Sequence, residues 1–481
     1  MDSSAGTIKA SGKNIYNRIR ATLKRNALGW IIGVSALILF VCSSARHALF
    51  QSSAFDLGIY DQVIYLMSQG QSPISSILGF HHLGNHAAWA VYPLGLLYKI
   101  YPSVYWLFAV QAVSLALGAL PTWHLARQAG LKESQATAIA LSYLLYPLIF
   151  NVNLFDFHPE VMATPAILGA VLAARLGQTL WFCCAITFVL GCKGVLSLTV
   201  AAMGVWLLVF EKRRLYGAFA MIAGVAWFLM VTQVIIPKFS GTEAAAVERY
   251  AYLGTSVLEI GKNLLFKPSL ILSKVFSLGT LEYFALLLSP LIWGLSLRHL
   301  TPLVAAIPAL SLNILADYPY QRDLIHQYSL PVLPFLLLAV ISNLAAGGGW
   351  LKHKRGIILW SIVAFLALAK FGYFWSRYLD HLSTWQATRD AIAIVQPKAS
   401  VLASTHIVPH LTHRPFIQPT SPASESADLN LYKYILLNVR YPGLGTPPEI
   451  GQNIVKRLQQ MPQFQQRYRR KKVFVFEKIG D

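Results

Sequence analysis

Apolar runs of about 20 residues, separated by short hydrophilic turns, recur along most of this chain. A run of that length crosses the hydrocarbon core of a bilayer as a helix, because the core is about 30 Å thick and a helix rises about 1.5 Å per residue. Of the 481 residues, 55% are hydrophobic and only 12% are charged, and the mean hydropathy is +0.51. Soluble domains are less apolar and more highly charged. The sequence therefore predicts a polytopic α-helical membrane protein.

The basic residues indicate how the chain is oriented. Forty Lys and Arg against twenty Asp and Glu give a formal charge of +20, yet these residues fall in short clusters between apolar runs, as at 211–214 and 352–355. Clusters of this kind retain short loops in the cytoplasm, so no nucleic-acid partner is expected. The N-terminus is predicted to be cytoplasmic and the C-terminus extracytoplasmic. With no organelle transit signature, a bacterial plasma membrane is expected.

Hydropathy and loop charge together predict about eleven spans and three regions. Residues 1–27 form a basic cytoplasmic N-terminus, 28–375 the membrane domain with a first external loop at 49–103, and 376–481 a small α/β domain. Within the loop, 90–102 is too short to span and is expected to lie along the interface. The predicted spans are 28–48, 104–126, 134–152, 161–175, 178–192, 194–210, 215–236, 278–297, 300–316, 329–346 and 356–374. The predicted strands are 400–405, 434–439 and 472–479, with a helix around 450–460.

Two acids follow the first apolar run, in FDLGIYDQ (55–62). Carboxylates near hydrocarbon are unfavourable unless they are paired, hydrated or bound to an ion. Asp56 is predicted to be a catalytic base, because apolar walls can raise the pKa of a carboxyl towards neutrality. The alternative is that Asp56 caps a helix. Asp61, five residues later, is expected either to support the site or to be hydrated.

A second acidic group, in NLFDFHPEVM (153–162), is predicted on the same side of the membrane. Asp156, His158 and Glu160 occupy alternate positions, which in an extended loop would present ligands suited to Mg²⁺ or Mn²⁺. The alternative is a helix start, with Pro159 in the first turn and Glu160 favoured by the helix dipole.

Further polar residues are predicted to lie on the same side and to bind substrate. Arg322 and His326 lie beside aromatic residues in DYPYQRDLIHQY (317–328), where they are candidates to hold a phosphate or a sugar. Interfacial anchoring is the alternative for this loop. His86, in FHHLGNHAAW, and Lys193, at the end of a span, are the other two candidates, although a histidine at a wet interface is more often an ordinary hydrogen-bonding group.

Several of these segments together resemble the DUF2079 family of predicted membrane proteins. They are FDLGIYDQ, HLGNH, LALGALPTWHLAR (115–127), FHPE (157–160), HQYSLPVLPFLLLA (326–339) and SVLASTHIVPHLTHR (400–414). That family is similar to the GT-C glycosyltransferases, whose pattern is an acidic motif and interfacial helices in the first external loop. The resemblance implies transfer of a sugar from a polyprenyl-phosphate donor in the membrane to an extracytoplasmic acceptor. Asp56 and the Asp156, His158 and Glu160 group fall in the positions of that pattern.

The chain departs from the family at one point. Relatives carry Lys-Glu-Asp where this chain has Lys193, Gly194 and Val195. The departure leaves open a changed substrate, a lost metal ligand or lost activity. The rival functions are a non-catalytic scaffold that binds lipid-linked sugars and a transporter or flippase. The transporter is less favoured, because the acids cluster at the ends of spans and no repeat is evident.

Overall fold

The computed structural model describes residues 27–243, 245–443 and 445–479. The predicted cytoplasmic N-terminus, apart from its last residue, lies outside these ranges. Within them, four helices are long and apolar enough to cross a membrane: Ala27–Ala48, Tyr105–Gln128, Glu133–Phe155 and Arg214–Ser240. Two bent pairs qualify if each is one span, Pro268–Val275 with Leu278–Leu288 and Lys354–Leu368 with Lys370–Leu379. Shorter apolar helices accompany them, and the count of about eleven spans stays a prediction.

The helices of the described chain are α1 Ala27–Ala48, α2 Ile59–Ser68, α3 Leu83–His86, α4 Gly95–Ile100, α5 Tyr105–Leu117, α6 Ala119–Gln128, α7 Glu133–Leu144, α8 Pro147–Phe155, α9 Glu160–Leu176, α10 Thr179–Cys192, α11 Leu196–Val209, α12 Arg214–Met230, α13 Ile236–Ser240, α14 Val257–Phe266, α15 Pro268–Val275, α16 Leu278–Leu288, α17 Ile307–Leu315, α18 Leu333–Ala345, α19 Lys354–Leu368, α20 Leu382–Ile394 and α21 Pro448–Gln459. Single π turns occur at Ala54–Gly58 and Val231–Ile235. The 3₁₀ turns are Trp89–Leu94, Ala245–Tyr250, Ile292–Gly294, Leu297–His299, Thr301–Ala306, Pro319–Arg322, Gln327–Ser329, Lys370–Trp375, Arg377–Leu379, Val408–His410, Pro422–Glu425 and Leu429–Leu431.

Most predicted spans coincide with a helix, but the one at 278–297 is wrong at its end. Helix α16 stops at Leu288, and the chain continues through the 3₁₀ turn Ile292–Gly294. Pro290 explains the stop, because a proline in a helix interior removes one hydrogen bond and clashes with the preceding turn. Helix α15 lies on the N-terminal side of α16 and meets it at a bend of 52°. The two helices together are long enough to be one span.

Helices α11 and α12 approach closely because glycines lie where they cross. A Cβ atom on Gly204 would lie 2.4 Å from the backbone nitrogen of Met221, and one on Gly224 would lie 2.6 Å from that of Ala201. Small residues at such crossings let helix backbones pack directly, which is how helices associate in a membrane.

The basic loops contact one another in two pairs. Arg175 donates to both carboxylate oxygens of Glu211, at 3.0 and 2.9 Å, and Arg213 donates to the carbonyl of Arg175 at 2.9 Å. Gln135 donates to the carbonyl of Lys352 at 3.2 Å. The first contacts join the ends of α9 and α11, and the last joins the start of α7 to the loop after α18, so the loops of each pair lie on the same side of the bundle.

The C-terminal part of the chain, α20 to β7, forms a five-stranded sheet with two helices and is called the sheet domain below. Its strands are β3 Val401–Ala403, β4 Ile417–Pro419, β5 Tyr434–Asn438, β6 Phe464–Arg470 and β7 Val473–Lys478, in the order β4-β3-β5-β7-β6. Strand β3 is parallel to β4 and β5, while β7 is antiparallel to β5 and β6. Alternate residues of β5 pack on α20 and on α21, so both faces of the sheet are covered. A two-residue hairpin, β1 Ile74–Ser75 and β2 Phe80–His81, lies in the first loop.

Candidate functional site

A cavity of about 800 Å³ lies where the first loop, the 317–328 loop, the chain after α19 and the sheet domain meet. Its volume is in the range of sites that hold small molecules. The charged residues that line it are Arg46, Asp56, Arg249, Asp323, Lys370, Arg377 and Asp380. Thr405, His406 and Gly443 of the sheet domain complete the wall. The cavity is therefore built jointly by the helical bundle and the sheet domain.

Asp56, the predicted base, reaches this cavity. It lies within the π turn Ala54–Gly58, its side chain is 32% exposed, and its Oδ1 lies 3.2 Å from Nε2 of His158. The alternative of a helix cap is wrong for Asp56, because Ser53 precedes the turn and its hydroxyl accepts from the amide of Phe55 at 3.3 Å. The carboxylate is thus free of a capping role and faces the cavity.

The pKa of Asp56 moves in the opposite direction to the one expected from apolar walls. Burial alone would raise it, but the charges of His158, Lys193 and His326 lower the pKa of this carboxyl below its ordinary value. The reverse holds for His158. Burial alone would lower the pKa of its imidazole, but Asp56 and Glu160 raise it. Each of the two groups therefore favours the charged form of the other.

Asp156 fixes the loop that carries the base. Its Oδ1 accepts from Arg46 Nη1 at 2.5 Å, and its Oδ2 accepts from the amide of Ser53 at 2.9 Å. Asp156 ends α8 with a φ of 113°, an unusual angle for a residue with a side chain. Such backbone strain persists only where surrounding contacts impose it. The Arg46 pair and the Ser53 amide supply those contacts and join α1, the first loop and α8.

Buried side-chain amides position the segment that carries His158. Gln111 on α5 accepts from the amide of His158 at 3.1 Å and donates to the carbonyl of Asn153 at the same distance. Asn153 in turn donates to the carbonyl of Leu39 on α1 at 2.7 Å. Because these groups are buried, each bond lost would leave an unpaired polar atom. The network holds His158 at a fixed place behind Asp56.

The predicted metal group does not assemble as one ligand set. Glu160 already belongs to α9, so the segment is not extended throughout, and each side chain has its own partner. Asp156, His158 and Glu160 pair with Arg46, Asp56 and Lys193, respectively. In the part of the chain that the structure describes, no three His, Cys, Asp or Glu side chains are arranged to hold a metal. The residues present do not fit a protein-held ion, and a divalent cation in the reaction stays a prediction.

Asp61, predicted with Asp56 as a catalytic residue that supports the site or is hydrated, does not line the cavity. It is only 1% exposed and accepts from the hydroxyl of Tyr98 at 2.5 Å and from the hydroxyl of Thr412. Its Oδ2 lies 3.2 Å from Nε2 of His413. Thr412 and His413 belong to the sheet domain. Asp61 therefore holds that domain on the first loop.

The neighbouring residues of the motif do the same. Gln62 donates to the carbonyl of Arg414 at 3.2 Å and to the hydroxyl of Ser76 at 2.7 Å. Ser76 donates to the carbonyl of Ile417 at 2.7 Å and accepts from its amide at 2.9 Å. A Cβ on Gly58 would lie 3.5 Å from Val408, so even this glycine packs on the sheet domain.

Of the four predicted substrate-binding residues, only His326 lines the cavity. Its Nδ1 lies 2.7 Å from Asp323 Oδ2, and its ring packs edge-on against Phe155 at 4.3 Å. Arg322 is not a lining residue. Its Nη1 would lie 3.3 Å from a Cβ on Gly279, which places the guanidinium beside the start of α16.

His86 and Lys193 lie deeper than expected and outside the cavity lining. Lys193 is 8% exposed and paired with Glu160. The carbonyl of His86 accepts from the amide of Gly194 at 2.8 Å, and burial, aided by Lys193, lowers the pKa of its imidazole well below the ordinary value. Lys193, which is buried, and His86, which is partly buried, therefore form part of a polar layer behind Asp56.

The same layer limits which side chain fits at position 194, where the chain departs from the family pattern. A Cβ on Gly194 would lie 2.6 Å from a methyl group of Val231, so position 194 has no room for a larger side chain without movement of α12 or the turn that follows it. Val195, by contrast, is 39% exposed.

Sequence reasoning missed three cations in the cavity wall. Arg249 lies between the rings of Tyr318 and Tyr328, at 4.8 and 5.2 Å, and donates to Gln321 at 3.0 Å. The other two are Lys370 and Arg377, which both lie near the ring of Tyr373, at 5.9 and 5.7 Å. Among the described residues, none of the three has a carboxylate within 4 Å. No sequence signal singled out Arg249, whereas Lys370 stood out as a charge within a predicted span.

Arg46 also carried a signal that was not used. It ends the first span on the side where the positive-inside rule expects few basic residues. A cation in that position needs a buried partner, and Asp156 supplies it.

Comparison with solved structures shows the fold. The chain is similar to ArnT from Cupriavidus metallidurans bound to undecaprenyl phosphate, with a TM-score of 0.55 and 13% identity over 94% of this chain and 98% of that one. The apo state of the same protein matches with a TM-score of 0.46, 13% identity and the same coverage. The archaeal oligosaccharyltransferase AglB from Archaeoglobus fulgidus, in complex with an inhibitory peptide and a dolichol-phosphate, matches with a TM-score of 0.36 and 10% identity over 87% of this chain and 70% of that one. At such low identity only the first match carries an argument, and it concerns the fold alone. No curated protein matches the sequence.

A family model described as "Predicted membrane protein (DUF2079)" matches residues 46–475. The match runs from Arg46 at the end of α1 to Val475 in the last strand, so it includes both the cavity and the sheet domain that closes it. The resemblance seen in the sequence is confirmed, and this multi-pass membrane protein with a GT-C type of fold belongs to the DUF2079 family.

Proposed function

We propose that the protein transfers a sugar from a polyprenyl-phosphate donor to an extracytoplasmic acceptor, with Asp56 as the base. In this reaction an acceptor hydroxyl oxygen attacks the anomeric carbon of the donor sugar. The bond from that carbon to the phosphate oxygen breaks, and its electron pair stays on the phosphate. The hydroxyl proton passes to Asp56. Attack opposite to the leaving phosphate inverts the anomeric configuration.

The observation that carries this proposal is a half-exposed carboxylate in the wall of a large cavity that is otherwise rich in cations. Asp56 is 32% exposed, whereas its partner His158 is buried. A base must lie within hydrogen-bond reach of the proton it takes, and the exposed side of Asp56 allows that. Because its pKa is low, Asp56 is ionised before the reaction and accepts the proton as the attacking bond forms.

Asp56 is not isolated when its charge changes. Gln111 accepts from the backbone amide of His158, and the imidazole of His158 stacks on Phe155, with ring centroids 5.4 Å apart. His158 therefore orients one carboxylate oxygen and leaves the other towards the cavity. In this proposal it is a positioning residue, not a metal ligand.

Arg249 is the best-placed cation for the donor phosphate. Its planar guanidinium is held by two tyrosines and Gln321, and such a fork suits phosphate oxygens. Helices α14 and α15 follow Arg249 in the chain and contain no buried residue. Leu265 and Phe266 at the end of α14 are 79 and 70% exposed, and Phe276, just after α15, is 82% exposed. Apolar surface of this kind belongs in lipid. A lipid tail along these helices would bring its phosphate to Arg249.

The proposed orientation places the cavity on the extracytoplasmic side of a bacterial plasma membrane. The supporting observation is that basic loops contact one another in pairs, Arg213 with Arg175 and Gln135 with Lys352, whereas the first loop and the sheet domain meet at the cavity.

One observation favours the rival of a non-catalytic scaffold that binds lipid-linked sugars. The family resemblance implies an acidic pair where this chain has Gly194 and Val195, and an acid at position 194 would require movement of Val231. A scaffold would still bind the lipid-linked sugar through Arg249 but would not need a base at Asp56.

The test is transfer of label from polyprenyl-phosphate sugars to envelope material by membranes that contain equal amounts of wild type, Asp56→Asn or Asp428→Asn. Asp428 is an exposed carboxylate of the sheet domain and serves as the matched control. Transfer by wild type and by Asp428→Asn, with loss in Asp56→Asn, is the expected result. Equal transfer by all three would overturn the assignment of the base. Binding of lipid-linked sugar without transfer by wild type would favour the scaffold.

A further inference from the structure

The cavity contains more positive charge than one donor phosphate requires. Within the described lining, Asp56 and Asp323 are paired with His158 and His326, and Arg46 is paired with Asp156. Arg249, Lys370 and Arg377 are left without a carboxylate within 4 Å. Cations that line a closed concave surface attract anions, because the protein walls focus their field.

These three cations belong to two separate groups. Arg249 is held by Tyr318, Tyr328 and Gln321, all from the 317–328 loop and its end. Lys370 and Arg377 instead share the ring of Tyr373, in the 3₁₀ turns that follow α19. The rings and the amide that hold Arg249 thus differ from the ring that Lys370 and Arg377 share. Two groups with different supports provide for two anions.

The backbone at Lys370 and the ring of Tyr373 are held in place before any ligand binds. The amide of Lys370 donates to Asn151 at 2.7 Å, and Asn151 donates to the carbonyls of Leu324 and Leu368 at 2.7 and 3.2 Å. Tyr373 packs edge-on against Tyr378, with ring centroids 5.6 Å apart. A preorganised site loses less entropy on binding.

The sheet domain adds an unsatisfied donor to this side of the cavity. His406 lines the cavity and is 4% exposed, yet neither of its ring nitrogens has a hydrogen-bond partner within the described chain. Its ring lies 4.7 Å from that of His381, which follows Arg377 and lines the same cavity. Buried polar groups without partners are rare, and a ligand is one way to satisfy them.

We propose that Lys370, Arg377 and His406 bind an acidic group of the acceptor glycan, a carboxylate or a phosphate. The inference rests on the proposed transfer reaction, since Arg249 is assigned there to the donor phosphate. The acceptor is the remaining substrate and must reach the cavity from the side that the sheet domain covers. Asp380 is the remaining carboxylate of the lining and is exposed, so it is suited to accept from a sugar hydroxyl next to the acidic group.

The test is binding of acidic and neutral glycans to the full chain, measured in nanodiscs of neutral phospholipid and again in nanodiscs of anionic phospholipid. The probes are a galacturonate oligomer, a glycerol-phosphate oligomer, a galactose oligomer and undecaprenyl phosphate. The variants are Lys370→Gln with Arg377→Gln, Arg249→Gln, and the control Arg389→Gln. Arg389 is exposed, lies over Trp385 at 4.6 Å and is not in the cavity lining. The two acidic probes distinguish a carboxylate acceptor from a phosphate acceptor.

We expect wild type to bind one acidic oligomer and to bind the galactose oligomer more weakly. The double variant is expected to raise the Kd for that acidic oligomer about tenfold or more and to leave undecaprenyl phosphate unaffected, because each charge-assisted contact contributes at least that factor. Arg249→Gln should show the opposite pattern, and Arg389→Gln should change neither.

Three outcomes would overturn the inference. They are unchanged acidic-glycan binding in the double variant, an equal loss of undecaprenyl phosphate binding in that variant, and cations that matter only in nanodiscs of anionic phospholipid. The last would make Lys370 and Arg377 lipid-headgroup anchors. Failure of sugar transfer with selective acidic-glycan binding intact would overturn the proposed reaction but not the anionic ligand.

Discussion

Two aspartates in one short motif, Asp56 and Asp61, have the same chemistry and opposite surroundings. Each carboxylate lies 3.2 Å from Nε2 of a histidine, His158 for Asp56 and His413 for Asp61. Asp56 is 32% exposed in a cavity, whereas Asp61 is 1% exposed and also accepts from two hydroxyl groups. A carboxylate that still faces solvent can exchange its partner during a reaction. One that is fully bonded contributes to the structure.

The difference follows from the turn between them. Asp56 lies in a π turn, and α2 begins at Ile59, so Asp61 emerges on the side that meets the sheet domain. The residue type and the spacing in the motif do not distinguish the two aspartates. The distinction appears only when the sheet domain is placed against the first loop.

The largest effect is expected for Asp56→Asn. The amide keeps the size of the side chain but cannot take a proton, so sugar transfer should fall about 10²–10⁴-fold, the usual contribution of a general base. The thermal midpoint should stay close to that of wild type. Single-turnover transfer and a melting curve of the same preparation test both statements. A variant that transfers sugar normally, or that melts far below wild type, would remove the distinction between the two acids.

Asp61→Asn should show the opposite pattern. The amide leaves His413 without its counter-charge and one of the hydroxyl donors poorly paired in a buried place, and such losses cost about 3 kcal/mol of unfolding free energy. Limited proteolysis of the sheet domain and a melting curve should both report the loss. Transfer per folded molecule should fall far less than in Asp56→Asn. Unchanged proteolysis would show that Asp61 does not hold the domain.

Helices were the easier part of the fold to predict, because a hydrocarbon core requires long apolar runs and short basic loops. The first span, predicted at 28–48, is α1 at Ala27–Ala48. Strands β3, β5 and β7 were predicted as buried runs, whereas β4 and β6 were missed. Strand β6 lacks the apolar pattern of a buried strand and is rich in basic residues, because it is an edge strand whose side chains are mostly exposed.

The candidate site was predicted in part. Asp56 and His326 were expected in it from their types and their loops, and both line the cavity. Partners distant in sequence could not be read from one chain. Asp156 was predicted to bind a metal because its partner Arg46 lies 110 residues away and cannot be recognised from the loop itself. Likewise, Asp61 gave no sign that Thr412, 351 residues later, would cover it.

A smaller effect is expected from acid on the docked sheet domain. His410 is partly buried, stacks on His47 with ring centroids 4.0 Å apart and lies 4.4 Å from the ring of Phe50. Burial and the neighbouring His47 lower its pKa well below the ordinary value, outweighing Asp61, so the folded protein holds it neutral. The unfolded chain takes up this proton below about pH 6.5, and stability should therefore fall by about 1.4 kcal/mol per pH unit below that value.

His410→Phe keeps an aromatic ring in this place and removes the titration. Between pH 7.5 and pH 5.5 the variant should lose about 1.4 kcal/mol less stability than wild type. Hydrogen exchange in the segment around Val408–His410 measures this locally. Parallel pH profiles for the two proteins would show that His410 does not make the docking acid-sensitive.

The smallest expected effect separates the ion pair of Asp61 from its other contacts. In the folded protein burial alone would lower the pKa of His413, but Asp61 raises it above the ordinary value. The pair therefore stabilises the docked domain fully below about pH 6.5 and loses its contribution as the pH rises through the folded pKa. Because the His413 side chain is 31% exposed, solvent screening limits that contribution to about 0.5 kcal/mol.

His413→Gln removes the charge and also the stacking on Tyr65, whose ring centroid lies 4.7 Å away. Loss of the stacking is independent of pH, so the melting difference between wild type and variant should be largest at pH 5.5 and should shrink to a constant offset by pH 9. The change of the melting difference with pH therefore measures the ion pair alone. A difference that stays constant over this range would mean that the hydroxyl donors Tyr98 and Thr412 hold Asp61 without help from the imidazolium. The Asp61 pair would then differ from the Asp56 pair in charge as well as in exposure.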